Sequence, residues 1–394
     1  MSIKFLKNDT LAIKGVAILF LLHYHNFYPV DKFENYEINF YPFSMDTMVS
    51  LTKFLKICVA MFAFLSAYGL TLSLKKYNKD YCITGKQYSH YIKTRLPKLM
   101  WGYWFVFILS CALCAILQRD RFELYMKDGG LHGVMWGAFN VIADFLGLSS
   151  LMNSPTLCGT WWYMSLALFI VIIVPFAARM NKKYGFLAVT LLCVFIPRVL
   201  IVNKSFSVGR ENSLLRWLFA VVLGVLFAQE DLLAKIKSAQ IMRNKAVKFI
   251  ISTLAVILSW IVYVALNGKA ADMTYEIRDG VIPVIIIYYL YVFIIDIPVL
   301  RTVLMFLGKH SMNIFLFSTF IRGILFSDFI YSFKYWLLID IALLLTSILS
   351  SIIIEAIKKY SRYNKLLDLV LQKIENNNSN SSKTAGEVML NKKM

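Results

Sequence analysis

The stretch Leu168-Phe-Ile-Val-Ile-Ile-Val-Pro-Phe176 is apolar at every position. A strand of a membrane barrel alternates apolar and polar residues over about ten positions, and the surface helix of a soluble protein keeps one polar face. This segment does neither. It belongs to a longer run, residues 160–178, and roughly 20 such residues are what a helix needs to cross a bilayer core about 30 Å thick. Ile341 to Ile354, uncharged and broken only by Thr346, Ser347, Ser350 and Ser351, is read with it inside the run 335–357. Comparable runs fall at 11–28, 54–74, 99–117, 185–203, 213–229, 247–267, 280–297 and 311–327. The chain is therefore expected to be all-α, a polytopic membrane protein with about ten transmembrane helices. Composition agrees: 59% of the 394 residues are hydrophobic and 16% charged, too apolar for one or two ordinary soluble cores.

The formal net charge of +19 would raise the question of nucleic acid in a soluble protein. Here the cations lie in alternate connections between apolar runs, as the positive-inside rule requires, and no nucleic-acid partner is expected. Lys75, Lys76, Lys79, Lys86, Lys93, Arg95 and Lys98 follow the second run against the lone acid Asp80. Arg179, Lys182 and Lys183 form a second basic group, Lys235, Lys237, Arg243, Lys245 and Lys248 a third, and Lys358, Lys359, Arg362 and Lys365 a fourth. Between them lie acidic connections, with Asp31, Glu34, Glu37 and Asp46 after the first run and Asp272, Glu276 and Asp279 after the seventh. The expected placement is a multi-pass protein of the cell membrane with both termini in the cytoplasm.

Three segments interrupt the pattern. Residues 119–159 contain the moderately apolar Val134 to Leu148, read as an interfacial or re-entrant helix, because counting it as a span would invert every later loop. Residues 298–310 are expected to form a short amphipathic helix on the inner surface before the ninth span. The domain reading is a transmembrane unit over 1–360 and a largely disordered cytoplasmic tail over 361–394, rich in Asn, Ser and Lys beyond about Asn376. The first run contains Lys14, His23 and His25 and lacks a small-residue cleavage site, so it is expected to stay in the mature protein. Cys58, Cys82, Cys111, Cys114, Cys158 and Cys193 lie mostly in or beside apolar runs. Cys111 and Cys114 read as packing inside a helix, and no metal is expected.

An ionisable side chain inside a membrane helix costs roughly 2.5 to 3.5 kcal/mol on insertion scales, so such groups are the first candidates for chemistry. Lys14 and His25 are eleven residues apart, which at about 100° per residue returns them to one face of the helix, about 16 Å apart along its axis. His23 points about 180° away from that face. A lysine near the inner mouth and a histidine beyond mid-membrane would let a cytoplasmic anion bind the first while its far end reaches the second. Snorkelling of the lysine and interhelical bonding of the histidine would account for the same residues. Arg198, Arg216 and Arg322 lie near outer ends as anchors or acceptor contacts, and Asp340 and Glu355 read as buried acids, paired with a neighbouring helix and with Lys358 and Lys359.

Leu11-Ala-Ile-Lys-Gly-Val-Ala-Ile-Leu-Phe-Leu-Leu-His-Tyr-His25 resembles the first helix of the acyltransferase-3 family, integral membrane enzymes that O-acylate cell-surface glycans. In that family a basic residue is followed, after ten others, by an essential histidine, and Lys14 and His25 match. Phe62-Ala-Phe-Leu-Ser-Ala-Tyr-Gly-Leu-Thr-Leu-Ser-Leu74 is similar to its Phe-x-Leu-Ser-Gly segment, with Ala67 in place of glycine. Arg95-Leu-Pro-Lys98 before Trp101-Gly-Tyr-Trp104 resembles its Arg-x-x-Arg motif, Thr160-Trp-Trp-Tyr163 its Trp-Tyr-Leu start of a span, and Leu307-Gly-Lys-His-Ser-Met-Asn-Ile-Phe-Leu-Phe-Ser318 its Leu-Gly-Lys-x-Ser segment. Ser318 stands where many members carry histidine.

The resemblance runs in order from about residue 9 to 357. It implies a membrane O-acetyltransferase moving acetyl from cytoplasmic acetyl-coenzyme A to a hydroxyl of a cell-surface or lipid-linked glycan. His25 would be the base, a role that neutral imidazole suits near pH 7. Arg95 and Lys98 would receive the coenzyme phosphates, with Lys14 nearer the thioester. Trp161, Trp162 and Tyr163 are candidate sugar contacts, although an interfacial aromatic belt predicts the same residues. The rival from another class is a transporter or flippase for a lipid-linked glycan, with His25 as a proton relay.

Overall fold

In the computed structural model the described residues are 4–126, 130–202, 214–238, 244–266 and 277–376, and the side chains of 130–132, 198–202 and 277 lie outside them. Arg243, Asp272, Glu276, the side chain of Arg198 and the tail 377–394, all part of the sequence reading, therefore fall outside the described residues. The described chain is helical, with one isolated strand-like bridge between Asn39 and Tyr335. Among the described residues, six helical segments are long and apolar enough to cross a membrane, or seven if a pair bent by 65° counts as one span. That is fewer than the ten runs in the sequence. The runs that fall short are the polar-studded first helix, the run over 185–203, which has only a shorter apolar helix, the bent pair over 214–238, and the run over 280–297, where a short helix lies between π turns.

The first helix, α1 (Lys7–Phe27), runs through the middle of the bundle and carries Lys7, Asp9, Lys14, His23 and His25 among its apolar residues. Helix α2 (Met45–Leu55) continues through a turn at Lys56 and Ile57 into α3 (Cys58–Leu74), so that Met45–Leu74 forms one span. Helix α4 (Gly85–Leu117) begins well before the apolar run inside it. Thr84 fixes its start: the Thr84 hydroxyl accepts from the Gln87 backbone N–H, and the Gln87 side chain accepts from the Thr84 N–H. Helix α5 (Gly130–Phe145) occupies the segment expected to be interfacial or re-entrant, with Val134, Met135, Trp136, Phe139 and Ile142 exposed, and it is not among the candidate spans.

Helices α6 (Trp162–Tyr184) and α7 (Phe186–Val202) follow, then α8 (Leu218–Gln229) and α9 (Leu232–Ser238), the bent pair. Helix α10 (Lys245–Ala265) precedes α11 (Ile282–Tyr289), which has a wide π turn on each side. Helix α12 (Pro298–Phe320) runs on through a π turn, Ile321–Leu325, to α13 (Ser327–Tyr331) and α14 (Trp336–Tyr360). The separate surface helix expected over 298–310 is instead the first half of α12. Leu304, Leu307 and Gly308 are buried, so one face of this half packs against the bundle. Residues 363–376 of the expected tail are also helical.

Two glycines set the centre of the bundle. A Cβ on Gly15 would land on the Leu304 backbone, and one on Gly308 would land on the Leu11 carbonyl. Helices α1 and α12 thus touch backbone to backbone, the close approach that small residues allow in membrane helices. Gly224 of α8 meets the Phe64 carbonyl of α3 in the same way. Polar pairs lock the ends of α1: Arg301 donates to Asp9 at 2.7 Å, and Asn26 donates to Asp340 at 2.8 Å. Between α12 and α14, Asn313 donates to Glu355, and Lys358 donates to both Glu355 and the Asn313 carbonyl oxygen. The pairing of Glu355 with Lys358 is as expected.

The basic connections collect at one end of the bundle. Asn181 near the end of α6 donates to Gln229 at the end of α8, Lys237 bonds Asp296 before α12, and Trp101 of α4 donates to the Tyr363 carbonyl beyond α14. The opposite end holds the last turn of α1, the π turn after α12 and the starts of α6 and α14.

Candidate active site

Two histidines two positions apart project from opposite sides of α1. His23 is engaged at both ring nitrogens, with Nδ1 2.7 Å from Asp340 and Nε2 3.1 Å from Thr52. His25 turns the other way. It is half-buried, has no hydrogen-bond partner among the described residues, and forms part of the wall of a cavity of about 510 Å³. That size suits a small ligand or one to two sugar rings.

Three devices shape this cavity. The π turn after α12 widens the helix and brings Arg322 into the wall, where its guanidinium donates to the Tyr331 hydroxyl at 3.1 Å. Tyr331 in turn donates to the Asn26 carbonyl at 2.8 Å, so the guanidinium is tied to the last turn of α1 beside His25. Asp144 holds the far wall. It accepts from the Tyr125 hydroxyl at 2.6 Å and the Leu157 N–H at 2.8 Å, which positions Cys158 and Thr160 in the lining. The turn between α2 and α3 supplies Lys56, buried to 8% exposure and lying over the Tyr24 ring at 5.9 Å. Lys32, beyond the end of α1, and Arg121, after α4, stand at the exposed rim.

Of the residues singled out in the sequence, the cavity brings together His25, Trp162, Tyr163 and Arg322. Trp161 is fully buried beside it, its indole N–H donating to the Leu316 carbonyl at 2.8 Å. Lys14 is half-buried two turns before Leu21, the earliest α1 residue in the lining, and makes no hydrogen bond or ion pair among the described residues. Arg95 and Lys98 lie on the opposite end of the bundle. Helix α4 reaches the cavity where Gln118 donates to the Ile324 carbonyl, and Lys98 is about 30 Å back along that helix. Arg216 is buried against Asp279 at 2.8 Å, an anchor, whereas Arg322 faces the cavity.

A family model described as an acyltransferase domain, Acyl_transf_3, matches residues 12–356. The chain belongs to the acyltransferase-3 family. It is accordingly a membrane acyltransferase, and the match covers the whole helical bundle from α1 to α14. Comparison with curated proteins and with solved structures gave no match.

Within this acyltransferase-3 chain the motifs divide between packing and cavity. Gly308 of the late motif makes the contact with α1, and Asn313 ties α12 to α14. Ser318 is fully buried and outside the lining, while its neighbour Thr319 lines the cavity. Lys32, Lys56 and Arg121 were not singled out from the sequence. Lys56 carried a usable signal, because it is a charged residue inside the Met45–Leu74 span. For Lys32 and Arg121 the loops show only charge, and their convergence needs the fold.

Proposed function

We propose that this acyltransferase moves an acetyl group from cytoplasmic acetyl-coenzyme A to a hydroxyl of a cell-surface or lipid-linked glycan, across the cell membrane, with both chain termini in the cytoplasm. The observation that carries the reading is His25, an imidazole with both nitrogens uncommitted in a cavity that also exposes Trp162 and Tyr163. His23, two residues earlier, is spent on Asp340 and Thr52. A base must keep a lone pair open toward the substrate, and of these two only His25 does.

In the proposed reaction a sugar hydroxyl enters from the α14-start end and hydrogen-bonds His25. The hydroxyl oxygen attacks the thioester carbonyl as its proton passes to the imidazole. The carbon–sulfur bond then breaks, the ester forms, and the imidazolium returns the proton to the departing thiolate. The donor arrives from the opposite end, where Arg95 and Lys98 meet its phosphates as charged donors. Lys14 lies on the face of α1 that leads to His25 and holds the coenzyme along that path. Trp162 and Tyr163 stack against the acceptor sugar.

The test is transfer of labelled acetyl from acetyl-coenzyme A by the purified protein, with surface glycan from the producing cells as acceptor. His25→Ala is expected to lower the rate about 100-fold or more, the usual contribution of a general base. Lys14→Ala is expected to raise the KM for acetyl-coenzyme A. Undiminished transfer by folded His25→Ala protein would remove His25 from the mechanism. Movement of glycan through the protein with no donor consumed would favour the transporter reading.

A further inference from the structure

Lys32, Lys56, Arg121 and Arg322 all line the His25 cavity, and among the described residues no Asp or Glu lines it. Lys32, Arg121 and Arg322 have no ion pair among the described residues. Elsewhere among the described residues Arg216 is paired with Asp279, the partly exposed Arg301 with Asp9, and Lys358 with Glu355. Arg322 is buried to 4% exposure, with its Nε hydrogen unpartnered among the described residues and the neutral Tyr331 hydroxyl on its Nη1. A buried guanidinium without a counter-charge is costly unless a ligand supplies one.

We infer that the acceptor bound beside His25 is an anion, a glycan bearing a carboxylate or phosphate oxyanion within about one sugar ring of the hydroxyl that is acylated. This rests on the acyl-acceptor role proposed for the cavity. Arg322 grips the oxyanion through its planar fork, Lys56 meets it from the turn between α2 and α3, and Lys32 and Arg121 draw it in at the rim. A neutral glycan would leave Arg322 as it stands now. The phosphates of coenzyme A offer the same chemistry, but their proposed partners Arg95 and Lys98 are about 30 Å away along α4.

The experiment is equilibrium binding to the purified full-length protein in discs of zwitterionic lipid. The probes are a galacturonate oligomer, a glycerol-phosphate oligomer, a neutral galactose oligomer of equal length, and coenzyme A. At least one charged oligomer is expected to bind tenfold or more tightly than the neutral one. Arg322→Gln and, independently, Lys32→Gln are expected to reduce that binding several-fold while leaving coenzyme A binding unchanged. Lys32 is at the rim, so its variant keeps the test alive if Arg322→Gln fails to fold.

Equal binding of charged and neutral oligomers, or no binding of either anion, would overturn the inference. So would variants that weaken coenzyme A instead, which would assign the cations to the donor, or variants that release co-purified anionic lipid, which would assign them to a headgroup. Because the readout is binding, failure here is separate from failure of acetyl transfer.

Discussion

Around His25 each polar side chain has a distinct task. Asp340 positions and does not react: it holds His23 and Asn26 on the last turns of α1, and Asn26 offers its carbonyl to Tyr331. Asp340→Ala is expected to lower stability by about 1 to 3 kcal/mol, since it leaves two buried donors without an acceptor, and a thermal unfolding series in detergent measures this. Asp340→Asn should recover part of the loss.

Lys32 gives a pH-dependent signature. Partial desolvation of its ammonium at the cavity rim and the nearby Arg322 push its pKa down from 10.5 to about 8, against smaller upward pulls from Asp31 and Cys158. The folded protein thus holds this proton less tightly than the unfolded chain. Its cost to stability is full below about 8, and stability rises with pH from there to about 10.5. Binding of an anionic acceptor should weaken as pH passes about 8, an effect that salt diminishes because Lys32 is at the rim. KM profiles at two salt concentrations check this, and a flat profile in the wild type would exclude Lys32 from the acceptor contact. The opposed directions of His23 and His25 were legible in the spacing alone, because a helix fixes them. The cation cluster was not, because Lys32, Lys56, Arg121 and Arg322 come from four separate segments.

At the scale of elements, the contact between α1 and α12 depends on two missing side chains. Gly15→Val and Gly308→Val would each drive a side chain into backbone that has no rotamer to yield, so both are expected to lose folded, monodisperse protein. Gly102→Ala, whose added carbon would meet Met312 at ordinary contact distance, should be near neutral in the same chromatography assay. The family motif around Gly308 was readable in the sequence, but its packing role was not, since a pattern does not say which glycine faces a helix. The amphipathic look of 298–310 misled for a related reason. Its polar side faces Asp9 through Arg301 and Ser351 through His310, and buried partners produce the same periodicity as a water interface.

For the molecule as a whole, hydropathy counts apolar length and not what the length packs against. Ten runs were visible, and six or seven helical segments meet the criteria for a span, in part because α1 spends its polar residues on protein neighbours. The charge alternation was legible, and its structural counterpart is the gathering of the basic connections at one end. In intact cells a membrane-impermeant thiol reagent should modify Asn35→Cys on a cysteine-free background and leave Lys182→Cys and Lys359→Cys untouched. The reverse pattern would invert the proposed orientation, and with it the direction of acetyl flow.

The polar pairs of α1 carry one more implication, for biogenesis. Asp9 waits for Arg301, 292 residues later, and Asn26 and His23 wait for Asp340, 314 and 317 residues later. During synthesis the first helix therefore enters the bilayer with its acid and imidazole unmatched, and the last hairpin arrives to claim them. A ribosome that stops before α12 should release a chain that quality control destroys, so that the end of translation acts as the proofreading step for its beginning.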